Sequence, residues 1–155
     1  MDDLELLRAY AEHQSEEAFT ELVERHVDLV YSTAVRIVPD ADQARDVVQL
    51  VFSHLARHAR EHRRITLLSG WLYRRTYCIA LDLIRADSSR RARERTAMDL
   101  LEVNAPEPSV WPAVAPLLEE AMSRLSPADQ DAIVLRYLEN RSLREVGVAL
   151  GLSED

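Results

Sequence analysis

A tryptophan among arginines is the feature of this 155-residue chain that most directly suggests chemistry. If residues 71–85 form a helix that turns about 100° per residue, one stripe of its surface collects Trp71, Arg74, Arg75, Cys78, Asp82 and Arg85. Aromatic rings stack on unpaired bases and guanidinium groups hold phosphates, so the stripe favours binding to single-stranded nucleic acid. A structural alternative stays open, in which Trp71 lies at the edge of a core between solvated arginine stems.

The run LREVGVALGLS at residues 143–153 has the spacing of a helix-turn-helix. Gly147 would allow a second helix to cross closely, Gly151 would form the turn, and Ser153 would cap the second helix. Three apolar anchors flank the turn: Val146, Leu150 and Leu152. An ordinary helical hairpin is the alternative. Because the sequence stops two residues after Ser153, we expect no specific binding of duplex DNA by the second helix. We also expect packing against the N-terminal part, or against another chain, to hold this unit.

Three histidines, His54, His58 and His62, follow one another at intervals of four residues, and the last two complete an H-x-x-E-H string. That string is a metalloprotease signature in the right context. Here Arg63 and Arg64 follow directly and no third ligand is evident, which favours a polar helix end. We can place no nucleophile–base pair, phosphate loop or carboxylate pair. The sequence therefore predicts no catalytic residue, no metal and no cofactor.

Charge is distributed very unevenly along the chain. All 19 basic residues are arginines, and with 27 acidic residues the net charge is −8. Residues 54–95 nevertheless hold 11 arginines and only 4 acids, whereas the segments on both sides are acidic. A basic segment between acidic flanks is a candidate phosphate-binding surface. A solvated arginine-rich helix would have the same composition.

Helices are predicted nearly everywhere, because apolar residues recur at i, i+3, i+4 and i+7 and no strand pattern is found. The first long pattern lies between Ser15, a plausible N-cap, and Pro39, which ends it, and it includes His26 among the apolar positions. A second helix is predicted to begin at residues 40–42. A third follows Ser69 and Gly70 and continues into the arginine-rich stretch.

The C-terminal third begins with a proline-rich segment. Four of the six prolines fall between residues 105 and 116, which predicts an extended, semi-rigid linker. Beyond it, Ser126 followed by Pro127 is a strong helix start, and Ser142 with Glu145 forms a capping box. The sequence therefore predicts an all-α protein with two helical units.

Three runs in this order carry a family resemblance. They are DVVQLVF at 46–52, GWLYR at 70–74 with ALDLIR at 80–85, and LSP at 125–127 with VLRY at 134–137 ahead of the helix-turn-helix. The first is similar to D-[LV]-V-Q-E-V-F and the second to W-L-Y-R…A-L-D-L-L-R, both motifs of extracytoplasmic-function (ECF) sigma factors. Over about residues 4–155, the chain resembles this class of bacterial transcription-initiation subunit.

The resemblance implies sigma domain 2 at residues 1–100, the linker at 101–116, and sigma domain 4 with an incomplete helix-turn-helix at 117–155. In such proteins domain 2 binds the clamp helices of RNA polymerase and melts the −10 promoter element, and domain 4 reads the −35 element. The implied polymerase-binding residues are Asp42, Asp46, Gln49, Leu50 and Ser53. The implied DNA-binding residues are Trp71, Arg74, Arg75, Cys78, Arg85, Arg90 and Arg91.

Three residues depart from the family pattern. Leu50 stands where the family usually has Glu, Arg45 where it has an acid, and Cys78 where it often has Asn. The first two bear on the strength of polymerase docking. The third lies close to base recognition and bears on which promoter sequence is read.

The implied partners are the RNA polymerase core and promoter DNA, and an anti-sigma factor is a further candidate. The sequence has neither a signal-peptide pattern nor an apolar run of about 20 residues, the length of a membrane span. We therefore expect a cytoplasmic bacterial protein that is nucleoid-associated when bound to polymerase and has no small-molecule substrate. A helical regulator that binds polymerase or another protein without initiating transcription is the alternative.

Overall fold

The computed structural model describes residues 1–95 and 110–152, except for the side chains at 62, 63, 91, 92, 94, 95, 110–113, 115 and 116. Every regular element in these two ranges is helical, which confirms the all-α prediction. The α-helices are α1 Asp3–His13, α2 Glu16–Ile37, α3 Ala41–Arg57, α4 Leu68–Arg95, α5 Val110–Ser123, α6 Pro127–Ile133 and α7 Leu143–Ala149. A 3₁₀ turn spans Glu61–Arg64, and a π-helical turn at Val134–Leu138 continues α6.

Side-chain caps begin most of these helices where the sequence predicts. The hydroxyl of Ser15 accepts a hydrogen bond from the N–H of Ala18 at the start of α2. Ser126 caps α6, with Pro127 in the first helical turn. Ser142 and Glu145 form the predicted capping box of α7. Each cap satisfies an N–H group that has no partner within the helix.

Two helix starts differ from the prediction. Helix α4 begins at Leu68, three residues before Trp71, because Leu68 is buried in the core and the Trp71 N–H bonds to the carbonyl of Leu67 at 3.3 Å. Helix α5 begins at Val110, so the predicted extended linker is wrong for residues 110–116, whereas residues 101–109 lie outside the described residues. A proline at position 112 is tolerated because N–H groups in the first turn have no helical partner.

Two apolar cores organise the part of the chain that the structure describes. Helices α1 to α4 enclose the larger one, whose fully buried members include Leu6, Leu22, Val30, Val47, Leu55 and Leu72. The smaller core joins the N-terminal helices to the C-terminal unit: Leu29 and Tyr73 pack with Met122 and Val134. The C-terminal unit therefore lies against the N-terminal domain, one of the two supports predicted for it.

The long helices of the part that the structure describes are too polar to cross a membrane. Among the described side chains, no three of the His, Cys, Asp and Glu type gather as metal ligands would. In the H-x-x-E-H string, Nδ1 of His58 lies 3.0 Å from Oε2 of Glu61, and the His62 side chain is outside the described set.

Candidate nucleic-acid and polymerase interface

Helix α3 has one face in the core and one face in solvent. Four residues of its inner face are fully buried: Ala44, Val47, Val51 and Leu55. The implied polymerase-binding residues follow the opposite face, where Asp42, Asp46, Gln49 and Leu50 are exposed and Ser53 is half-buried. Leu50 is 46% exposed. Contact with an apolar surface would remove the Leu50 side chain from water, which is favourable. The neighbouring carboxylates of Asp42 and Asp46 favour basic groups on the same partner.

Helix α4 divides its residues as the helical wheel predicts. Leu72, Thr76 and Ala80 are fully buried, and Tyr73 is buried beside them. On the other side Cys78, Asp82 and Arg85 are exposed, whereas Trp71, Arg74 and Arg75 are half-buried. Trp71 also packs against the larger core. Its ring therefore belongs partly to the core and partly to the stripe, which combines the two interpretations left open by the sequence.

The Trp71 ring is part of a row of flat groups that runs from α4 to α3. The guanidinium of Arg75 lies 5.4 Å from the ring centroid, a cation–π distance. The centroid of the His54 ring is 6.0 Å from that of Trp71, and the His58 ring is 4.6 Å from His54. Partial burial, together with Arg75 and His58, lowers the pKa of His54, which disfavours the charged form of the ring. The sequence predicts that these two histidines belong to a polar helix end rather than a metal site, and it does not predict that His54 lies beside Trp71.

Several of the implied DNA-binding arginines already have acidic neighbours. Nη1 of Arg74 donates to Oδ1 of Asp131 at 2.8 Å, a contact between the N-terminal domain and α6. Arg90 pairs with Asp87 at 2.8 Å, and Arg85 lies 3.9 Å from Asp82. In each of these two pairs the partners are one helical turn apart. Both Arg85 and Asp82 are exposed, so a phosphate can replace the Asp82 carboxylate at little cost, whereas Asp87 is only 14% exposed. The side chain of Arg91 is outside the described set.

The predicted helix-turn-helix is described as far as residue 152. Helix α7 ends in a turn in which Gly151 has φ +69°, and the Leu152 N–H bonds to the carbonyl of Gly147 at 2.8 Å. Val146 is buried, Leu150 is half-buried and Leu152 is 64% exposed. A β-carbon on Gly147 would meet only the Leu152 carbonyl, at 4.0 Å, so no described element crosses closely there. Ser153 lies outside the described residues.

Comparison with known proteins finds a match for the N-terminal helices and another for the C-terminal unit. Residues 22–90 match the family model described as Sigma-70 region 2, and residues 121–155 match Sigma-70, region 4. The chain belongs to the sigma-70 family. The region 2 match contains the exposed face of α3 and the stripe of α4 as far as Arg90. The region 4 match contains α6, the π-helical turn and α7.

Two curated relatives support the same assignment. The ECF RNA polymerase sigma factor SigE of Mycolicibacterium smegmatis is 31% identical over 143 residues, which cover 87% of this chain and 54% of that protein. The RNA polymerase sigma factor CarQ of Myxococcus xanthus is 28% identical over 142 residues, covering 90% of this chain and 80% of CarQ. The ECF resemblance is thereby confirmed. The chain spans about half the length of SigE.

Proposed function

We propose that this sigma-70 chain directs bacterial RNA polymerase to promoters and initiates transcription, without enzymatic activity of its own. The outer face of α3 binds the clamp helices of the polymerase core. The Trp71 stripe of α4 binds the separated strands of the −10 element. The C-terminal unit, which contains the region 4 match at residues 121–155, contributes to −35 recognition when its second helix is present. The protein acts in the cytoplasm and joins the nucleoid when bound to polymerase.

One observation carries this proposal. Within the region 2 match, α3 and α4 enclose one groove, which Leu50 and Ser53 line from α3 and Ile79, Asp82 and Leu83 line from α4. The exposed leucine and the Trp–Arg stripe therefore lie on adjacent surfaces of one domain. When α3 is bound to polymerase, α4 lies next to the bound surface, and its Trp–Arg stripe can contact DNA there.

Reversing the charge of Asp46 is expected to weaken binding to core polymerase by about 3-fold to 10-fold, since a rim charge contributes on the order of 1 kcal/mol. Asp46 is exposed and points away from the core, so Asp46→Arg should leave the unfolding temperature unchanged. The matched control is Glu24→Arg, because Glu24 is also an exposed acid and lies on α2. Fluorescence anisotropy with core polymerase measures the affinity, and run-off transcription measures its consequence. Equal affinities of a folded Asp46→Arg protein and the control would contradict the docking assignment.

Removing a stripe arginine is expected to reduce the salt dependence of DNA binding. Each phosphate contact to a single strand contributes about 0.7 to the slope of log K against log salt concentration. Arg85→Ala should lower that slope by about this amount, because Arg85 is exposed and only loosely paired. Arg124→Ala removes an equally exposed arginine that directly follows α5, and it should not change the slope. An unchanged slope for Arg85→Ala would exclude Arg85 from the phosphate contacts.

A further inference from the structure

His54 lies on α3 where the inner and outer faces of that helix meet. It is half-buried, four residues after the exposed Leu50 and three residues after the buried Val51. Its ring centroid is 6.0 Å from that of Trp71, with the two ring planes inclined by 39°. This distance is within the range of aromatic contacts in proteins. Through His54, α3 therefore contacts the ring that the proposed function assigns to DNA on α4.

His54 is supported in turn by the residues at the C-terminal end of α3. The N–H of His58 donates to the carbonyl of His54 at 3.1 Å, which fixes the backbone in the last turn of the helix. The two imidazole centroids are 4.6 Å apart, with planes inclined by 32°. Nδ1 of His58 also lies 3.0 Å from Oε2 of Glu61, which limits rotation of the His58 ring. A chain of contacts thus runs from Glu61 through both histidines to Trp71.

Trp71 has further contacts on its own helix and in the core. Its indole packs against the larger core, and the guanidinium of Arg75 lies 5.4 Å from the ring centroid. Arginine has many rotamers and gives up its position easily, whereas an imidazole is short and stiff. A base that stacks on Trp71 can therefore displace Arg75 while the contact with His54 persists. The direction of the His54 pKa shift agrees with this arrangement, because it disfavours a second cation beside Arg75.

We propose that His54, supported by His58, is a positioning residue for Trp71 and holds the indole ring in the orientation in which an unpaired base stacks on it. The inference rests on the proposed function of the α4 stripe. Immobilising a side chain during binding costs free energy, so a ring that is already held gains more from the same stacking contact. His54 acts through Trp71 and makes no contact with the DNA itself.

A double-mutant cycle on promoter opening tests whether His54 acts through Trp71. His54→Ala should slow opening by about 2-fold to 10-fold, which corresponds to the cost of ordering one side chain. His54→Phe keeps a flat ring and should recover most of the rate. In a Trp71→Ala background, His54→Ala should cause no further loss. The matched control is His13→Ala, which removes an exposed histidine of α1 and should leave the rate unchanged in both backgrounds.

The opening rates are measured with holoenzyme at a saturating concentration of the chain, so that a change in polymerase affinity does not alter them. Unfolding temperatures are measured for every variant. If His54→Ala lowers the unfolding temperature, His54→Gln takes its place, because glutamine keeps a polar side chain of similar length without a ring.

Fluorescence of the free chain tests the position of the ring without polymerase or DNA. The chain has two tryptophans, and Trp111→Phe leaves Trp71 as the single indole. Time-resolved anisotropy then reports the picosecond-to-nanosecond motion of that ring, and His54→Ala should increase the amplitude of the fast decay at least about twofold. His58→Ala should increase it less, and His13→Ala should not change it.

Two results would overturn the positioning role. One is an equal anisotropy decay in folded His54→Ala and His13→Ala proteins. The other is a double mutant in which the losses of His54→Ala and Trp71→Ala multiply, because His54 would then act independently of the ring. A different result identifies a failure of the proposed function. If His54→Ala frees the indole but Trp71→Ala opens promoters at the normal rate, the stripe does not hold an unpaired base, and the role of His54 in base stacking fails with it.

Discussion

Replacing Trp71 with alanine is expected to slow promoter opening by about 5-fold to 150-fold, since stacking of one base on an aromatic ring is worth roughly 1–3 kcal/mol. The ring is half-buried, with Arg75 and His54 beside it, and Arg75 is a long side chain that can move aside for a base that has left the duplex. Binding of closed duplex DNA should change far less, because its bases are still stacked on one another. Permanganate oxidation of unpaired thymines in the polymerase–promoter complex measures the opening directly.

Trp71→Phe is the matched control for this experiment, because phenylalanine keeps an aromatic face at the same position. It should restore most of the opening rate. Trp71 also packs against the larger core, so the unfolding temperature of both variants has to be measured alongside. A folded Trp71→Ala protein that opens promoters at the normal rate would make Trp71 a purely structural residue.

Replacing His26 with glutamine is expected to destabilise the chain by roughly 3 kcal/mol near pH 6, the free energy that corresponds to its pKa shift. His26 is 2% exposed. Its Nε2 lies 2.8 Å from Oδ2 of Asp3, and its Nδ1 lies 3.3 Å from Oε1 of Glu139, an ion-pair distance without good hydrogen-bond geometry. Burial alone lowers the pKa of His26, but the two carboxylates outweigh it and raise the pKa to about 9.

The loss of stability in His26→Gln should depend on pH in a definite direction. A raised pKa stabilises the folded state fully below the ordinary value of 6.5, and this contribution disappears as the pH rises through about 9. Burial alone would raise the pKa values of Asp3 and Glu139, but His26 and the other hydrogen-bonding and charged neighbours outweigh burial and lower both values. The contribution of the two carboxylates to stability is therefore lost only in acid, below their ordinary pKa values. The wild-type chain should therefore be most stable, relative to His26→Gln, between about pH 5 and 7.

Other charged groups beside His26 limit how the experiment is designed. Arg25 pairs with Asp3 at 3.0 Å, Arg141 pairs with Glu139 at 3.0 Å, and Asp28 lines the same cleft. Among aspartate, glutamate, arginine and histidine side chains, only histidine has an ordinary pKa between 5 and 9, so a comparison across this range follows His26. Urea unfolding at several pH values, with His13→Gln as an exposed-histidine control, measures the difference. A stability difference between wild type and His26→Gln that stays constant from pH 6 to 10 would refute the ion-pair explanation.

Much of the candidate site is determined by the sequence alone. Helical spacing separates the buried from the exposed residues of α3, and the same rule places Trp71 with the arginines of α4. Caps such as Ser15 and Ser142 act within one helical turn, so their effect can be read from neighbouring residues. The roles of these faces in binding polymerase and DNA, and the domain boundaries at 100 and 116, remain predictions.

Only the tertiary structure decided which partners the charged side chains have. Arg74 appears on the helical wheel as one more DNA-binding arginine, yet its carboxylate partner is 57 residues later in the chain. His26 appears as a polar residue in an apolar stripe, and it becomes charged because packing brings Asp3 and Glu139 to its two ring nitrogens. Helical periodicity shows which face of a helix is buried, but not what lies against that face. Contacts between distant segments form only when the two apolar cores bring the helices together, and those contacts set the charge of His26 and the accessibility of Arg74.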